Sequence, residues 1–259
     1  MTPSTLYSET HGRGDAVLLV AGVASDSPSW QLQTMALSQT MRVIVFDNRG
    51  VGRSPLTGEA LSIESMASDA IEILDRYQLE KVHVVGHSMG TAIAQTMAKR
   101  HPERISKMVL ASPIANLDAK SRIALEAWVL ALKEEVSHEL FCRLLFPWLF
   151  SEQFLAQPGN FEFCCQSFEC NPYPITPAGI EAQVDALRSF DSRGWLATIQ
   201  TPTLVLTGER DLLTPPEQAQ SITSALANAK FTEIPRVGHS SQVEDADFFN
   251  RTVLNFLAR

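Results

Sequence analysis

The chain has 259 residues, 45% of them hydrophobic, and a formal net charge of -8. That length suits one α/β domain carrying an insertion, and that apolar content excludes wholesale disorder. An acidic balance excludes nucleic acid as the main partner, because phosphate binding needs clustered Lys and Arg.

The amino terminus runs from Met1 to Thr10 without a basic start and apolar run, so it does not read as a secretory signal. No window approaches the ~20 apolar residues of a bilayer span. A soluble, cytoplasmic protein with no membrane partner is expected.

Short apolar runs at Ala16–Ala21, Val43–Asp47, Val82–Gly86, Lys107–Ala111, Thr203–Thr207 and Lys230–Ile234 lack strict alternation. Strands buried on both faces have this character. Helical patterns lie between them. Ile63–Tyr77 sets Met66, Ala70, Ile73 and Leu74 on one face, with Ser62 and Ser65 as start chemistry. Met89–Arg100, Pro216–Leu226 and Ala246–Leu257 follow the same period. The alternation predicts a mostly parallel sheet with helices on both faces.

It breaks between about Pro113 and Trp195, where helices and loops replace strands. Residues 114–195 are therefore expected to form an inserted helical cap, dividing an α/β core of 1–113 and 196–259. The cap holds Ile123–Lys133, the aromatic run Phe141–Phe150 and the stop Asn171-Pro172-Tyr173-Pro174. All four cysteines, Cys142, Cys164, Cys165 and Cys170, also lie here. Their spacing is not that of a zinc site, so reduced, partly buried thiols are expected.

The strand Val82–Gly86 runs into Gly86-His87-Ser88-Met89-Gly90, a G-x-S-x-G pattern that opens the next helix. A serine on such a turn is strained, with its hydroxyl projecting at the sheet's carboxyl end. Ser88 is the candidate nucleophile. His87, beside it on the turn, is expected to point elsewhere.

Serine needs a base within reach. Of six histidines, His239 alone sits in a loop between a late strand and the last helix, behind Gly238. His11 is placed before the sheet, His83 mid-strand, His101 at a helix end and His138 on a polar cap helix. Asp211, just past a strand, is the candidate acid holding the imidazole in its tautomer. Glu209 is the near rival, with Asp118 and Asp191 more remote. Backbone N–H groups of Met89 and Val23 are the expected oxyanion donors. No metal or cofactor is expected: the Gly50-Val51-Gly52 turn lacks the third glycine of a dinucleotide fingerprint.

Together these residues resemble the α/β-hydrolase superfamily over nearly the whole chain. Phe46-Asp47-Asn48-Arg49-Gly50-Val51-Gly52-Arg53-Ser54 matches its D-x-R-G-x-G-x-S turn, Thr201–Leu206 its strand entry after the cap, and Trp30 its aromatic after the oxyanion loop. The order Ser88, Asp211, His239 is the one that fold uses.

Within the superfamily the chain looks most like small capped esterases and enol-lactone hydrolases. It departs from the pattern in Ala21-Gly22, where His-Gly is usual, and in Thr91, where a second glycine is usual. The resemblance implies hydrolysis of a small ester, thioester or lactone through an acyl-enzyme. A slow signalling hydrolase and a non-hydrolytic lyase or cofactor-free oxidative enzyme are the competing readings. Trp148 and Phe146 are expected to reach the pocket and limit acyl length.

Overall fold

The computed structural model describes residues 6–57 and 60–258. The first five residues, on which part of the reading of the amino terminus rests, lie outside the described residues. Seven strands form one sheet: β1 (Ser8–His11), β2 (Ala16–Val20), β3 (Arg42–Phe46), β4 (Val82–His87), β5 (Ile105–Ala111), β6 (Thr203–Gly208) and β7 (Ala229–Ile234). Their order is β1-β3-β2-β4-β5-β6-β7. All neighbours are parallel except β1 and β3.

Six of these strands are the expected apolar runs. The seventh, β1, corrects the placement of His11 before the sheet. Ser8-Glu9-Thr10-His11 carries no apolar residue, and it pairs along a sheet edge through its backbone. Hydrophobic patterning does not reveal such a strand.

Eleven α-helices are described: α1 (Gln31–Leu37), α2 (Ile63–Arg76), α3 (Met89–Arg100), α4 (Ala119–Lys133), α5 (His138–Leu149), α6 (Glu152–Leu155), α7 (Asn160–Glu169), α8 (Pro177–Arg188), α9 (Pro216–Ala225), α10 (Ser241–Glu244) and α11 (Ala246–Leu257). The start of α2 is a reciprocal capping box: Ser65 N donates to Ser62 Oγ and Ser62 N to Ser65 Oγ, both at 3.0 Å.

The pleat sends alternate strand residues to opposite faces. Leu18, Val20, Ile44, Phe46, Val84 and Leu110 pack with α2 and α3. Val17, Leu19, Val43, Val45, Val85 and Val109 pack with Leu37 of α1 and with Phe249, Val253 and Leu257 of α11.

Helices α4 to α8 intervene between β5 and β6. The two ends of this insertion meet in an isolated bridge, Asn116 to Asp191, beside Ser192 N donating to Ala115 O at 2.8 Å. Its apolar residues, among them Leu125, Trp128, Phe141, Leu145 and Phe146, are continuous with the core on the α2–α3 face. The insertion therefore lies against the body along one side. Among the described residues no helix is long and apolar enough to cross a membrane.

Candidate active site

Strand β4 ends at His87, and Ser88 stands between it and α3 with φ 54° and ψ -121°. This is a left-handed φ that an L-residue adopts only when its surroundings impose it. Close packing imposes it here. A Cβ on Gly86 would lie 2.4 Å from Gly90 O, and one on Gly90 would lie 2.0 Å from Val20 O. Both positions therefore exclude side chains. Ser88 N donates to Ala111 O at 2.9 Å. Thr91 also braces the turn: its hydroxyl donates to Ser88 O at 2.6 Å and accepts from Ile114 N at 3.0 Å. The departure from glycine at that position thus adds a clamp.

His239 lies in the loop between β7 and α10. Its Nδ1 is 2.9 Å and 3.1 Å from the two carboxylate oxygens of Asp211. An ionised carboxylate only accepts, so Nδ1 carries the proton and Nε2 keeps its lone pair in the neutral ring. Asp211 itself is held by Leu213 N at 3.0 Å, Thr214 N at 2.8 Å and the Thr214 hydroxyl at 2.8 Å. Burial pushes its pKa up, but His239 and these donors outweigh burial and leave it lowered.

The rival carboxylates are engaged elsewhere. Glu209 accepts from Arg236 N at 2.7 Å. Asp118 caps α4 through Ser121 N at 2.9 Å. Asp191 pairs with Arg193 at 2.6 Å on the surface.

The loop after β2 runs against Ser88: a Cβ on Gly22 would be 3.1 Å from Ser88 Cβ. Ser25 N donates to Gly22 O at 3.3 Å, closing a turn. Ala24 sits in that turn at φ 58°. A left-handed alanine costs about 1–2 kcal/mol, and the surroundings hold it there. Its N–H donates to Gln183 Oε1 of α8 at 2.8 Å, and Gln183 Nε2 donates to Arg49 O at 3.0 Å. Bracing therefore comes from the insertion. Asp47 of the D-x-R-G-x-G-x-S turn adds to it, accepting from Ser27 N at 2.7 Å and Arg53 N at 2.9 Å. Among the described residues no protein group accepts from the Val23 or Met89 N–H. Val23 lines the cavity, while the Met89 side chain is buried in the core.

Ser88 and His239 share a cavity of about 600 Å³ beneath the insertion. Leu125, Trp128, Phe141, Leu145, Leu149 and Phe150 supply apolar walls, and His138 stands exposed on the lining. The expectation for Trp148 and Phe146 is corrected, since neither lines this cavity. Phe146 is fully buried, with ring centroids 5.3, 5.6 and 5.7 Å from Phe150, Phe161 and Phe168. It is the hub where α5 meets α7. Trp148 lies at the end of α5, 5.1 Å from the Lys120 ammonium.

His87 is also corrected. It does not turn away: its Nε2 lies 3.0 Å from the main-chain oxygen of His239, and the two rings are 4.9 Å apart. A carbonyl oxygen only accepts, so His87 Nε2 is the donor. Burial and the neighbouring His239 lower the His87 pKa to about 3.

Three further residues carry weight that local patterns did not reveal. The Ser112 hydroxyl donates to the same His239 oxygen at 3.0 Å. Thr214 closes on Asp211. Glu244 Oε1 accepts from Gly238 N at 2.8 Å and Ser151 N at 2.9 Å, tying the His239 loop to the insertion. Only the short spacing from His239 to Glu244 offered a sequence signal for the last. Among the described residues no group of three or more His, Cys, Asp or Glu could hold a metal ion.

A family described as "alpha/beta hydrolase fold" matches residues 15–156, and one described as "TAP-like protein" matches residues 168–259. The chain is 32% identical to a Variovorax paradoxus protein named "Putative carbamate hydrolase RutD", over 98% of this chain and 96% of that one. An esterase from Thermogutta terrifontis superposes with a TM-score of 0.86 at 27% identity, covering 98% of this chain and 93% of its own. An enol-lactonase from Burkholderia xenovorans superposes with a TM-score of 0.87 at 25% identity, covering 98% and 96%. The seven-stranded sheet, the strained serine turn and these matches along the length of the chain lead to one conclusion: the protein belongs to the α/β-hydrolase family.

Proposed function

We propose that the protein is a serine hydrolase that cleaves a small ester, thioester or lactone through an acyl-enzyme. Ser88 is the nucleophile, His239 the general base and Asp211 the acid partner. Residues 114–195 act as a cap over the site, and the setting is the cytoplasm. The observation that carries this reading is the buried Asp211–His239 pair, whose histidine lines the same cavity as Ser88.

The chemistry follows from the proton positions. Asp211 fixes the proton on Nδ1, which leaves Nε2 to take the Ser88 hydroxyl proton as oxygen attacks the carbonyl. Charge then builds on the carbonyl oxygen, where the Val23 and Met89 N–H groups are free to receive it. His239 passes its proton to the leaving group, and the same base activates water to release the acyl group.

A carbamate passes through the same tetrahedral addition. The 32% identity to the protein named for carbamate hydrolysis therefore adds carbamates to the substrates to be tried.

The test is covalent. A fluorophosphonate should add one label, mapped to Ser88, and Ser88→Ala should lose both the label and turnover, the latter by roughly 10⁴–10⁶-fold. Label on another residue, or a labelled Ser88→Ala chain, overturns the assignment.

A further inference from the structure

The cavity above Ser88 contains one carboxylate and no lysine or arginine among its lining residues. The carboxylate is Asp26, four residues beyond Gly22. It is only 7% exposed. It precedes the short 3-10 turn Ser27–Trp30, a place where aspartate ordinarily caps, yet its side chain makes no capping bond. One oxygen, Oδ2, accepts from Asn171 Nδ2 of the insertion at 2.8 Å. The other, Oδ1, has no donor from another residue among the described residues and is not among the fully enclosed side-chain atoms that lack a partner. It therefore keeps accessible surface, on a residue that lines the cavity.

Charge around it leaves the carboxylate only partly compensated. Arg53 is the neighbouring cation, but its guanidinium is taken by Asp47 at 3.2 Å and by the Ser27 hydroxyl at 2.6 Å. Asp47 adds a second negative charge on that side. Of the three histidines on the cavity wall, His87 is committed to the His239 carbonyl and His239 to Asp211. His138 is exposed. Burial raises the Asp26 pKa, while the bond from Asn171, its own backbone N–H and the Arg53 charge work against that rise without cancelling it. A carboxylate removed from water without a cation is retained at a cost unless something donates to it. The rest of the wall is mostly apolar, which makes this oxygen a fixed polar point in a greasy chamber.

We infer that Asp26 is a specificity-determining residue: its free Oδ1 receives a protonated amine or other strong N–H donor carried by the substrate away from the scissile carbonyl. The same charge rejects substrates that carry a carboxylate there. Asn171 orients the acceptor by holding Oδ2. This rests on the serine-hydrolase reading for its reaction, and on the cavity alone for its recognition.

The test uses ligands with no scissile bond. Binding of hexylammonium, 1-hexanol and hexanoate to the intact chain is measured by calorimetry or nuclear magnetic resonance titration. Hexylammonium should bind at least about tenfold more tightly than hexanol, and hexanoate more weakly than hexanol. Asp26→Asn, which can still accept from Asn171, should bring hexylammonium down to the hexanol affinity and let hexanoate in. Asn171→Ala should keep the ammonium preference, because the carboxylate remains; a mere tether for the insertion would make the two variants behave alike.

Equal or undetectable binding of hexylammonium to the wild type overturns the inference, as does a preference that survives Asp26→Asn. None of these ligands reacts, so the result stands apart from Ser88 labelling. Failed labelling with an intact ammonium preference would sink the serine reaction and spare the recognition site.

Discussion

At the scale of single residues, the candidate site depends on how firmly one loop is held. The His239 carbonyl receives two donors, His87 Nε2 and Ser112 Oγ, each at 3.0 Å. These bonds fix the main chain from which the imidazole projects, while Asp211 fixes the ring. His87 stays a neutral imidazole near neutrality, its one N–H committed to the His239 carbonyl, since burial and the neighbouring His239 lower its pKa to about 3. Its expected role is positioning. His87→Leu should remove one of the two donors, worth about 1 kcal/mol and hence several-fold in kcat. His87→Gln, which can present an N–H at similar reach, should recover most of the loss. The shape of the pH–rate profile should be the same in all three proteins, because a positioning residue changes the rate and not the ionisations behind it. If the profile changes shape in His87→Leu, His87 takes part in proton transfer and the positioning role fails. Such bonds were beyond sequence reading. G-H-S-M-G announces the turn, but which way His87 points depends on a loop 152 positions away.

At the scale of elements, the strands were legible where both faces are covered and illegible where one edge is open. Continuous apolar runs such as Val43-Ile44-Val45-Phe46 have one physical reading, whereas the polar β1 has many. The join between the insertion and the body was equally hidden, because it is made by backbone groups and a single side chain. Ser240 N donates to Leu149 O at 2.8 Å, and Glu244 bridges Gly238 and Ser151. The Ser151 hydroxyl completes the bridge on Glu244 Oε2 at 2.5 Å. Glu244→Ala should strand two buried N–H groups, costing about 2–3 kcal/mol, and should lower kcat by loosening the His239 loop. Glu244→Gln keeps an oxygen for both N–H groups and should retain most of the activity. The two proteins should also differ with pH. Burial raises the Glu244 pKa from its ordinary value of 4.5 despite the bonds it accepts. The native state thus holds this proton more tightly than the unfolded state. The cost of ionising Glu244 accordingly grows as pH rises from the unfolded value through the raised one. Wild-type Tm should therefore fall relative to Glu244→Gln as pH rises from about 4.5 through the raised value, and the difference should level off above it. A constant difference would show that the carboxyl is not strained by burial.

At the scale of the whole molecule, two sorts of information decided what could be read ahead. Ser88, Asp211 and His239 each follow closely on a strand, so chain order and local turns bring them to the same end of the sheet. The cavity wall is set by packing between helices that are distant in sequence. Spacing along α5 shows that its aromatics are covered without showing what covers them. Phe141, Leu145 and Leu149 recur every fourth residue as a stripe on the cavity. Phe146 lies off that stripe and meets Phe161 and Phe168. Truncating each of these phenylalanines separates their roles. Phe146→Ala removes a fully buried ring and should cost about 3–5 kcal/mol in stability, with the substrate length profile unchanged. Phe141→Ala also loses packing, since that ring is 4% exposed, but the space it leaves joins the cavity of about 600 Å³. Longer acyl groups should then gain in kcat/KM over short ones, by about 1–3 kcal/mol for each methylene-sized difference accommodated. Ser88 labelling by fluorophosphonate should persist in both proteins, which keeps a change of preference apart from damage to the reacting groups. A chain-length series of p-nitrophenyl esters measures this directly. The assignment of the wall fails if Phe141→Ala keeps the parental profile, or if Phe146→Ala shifts it toward longer chains while the protein remains folded.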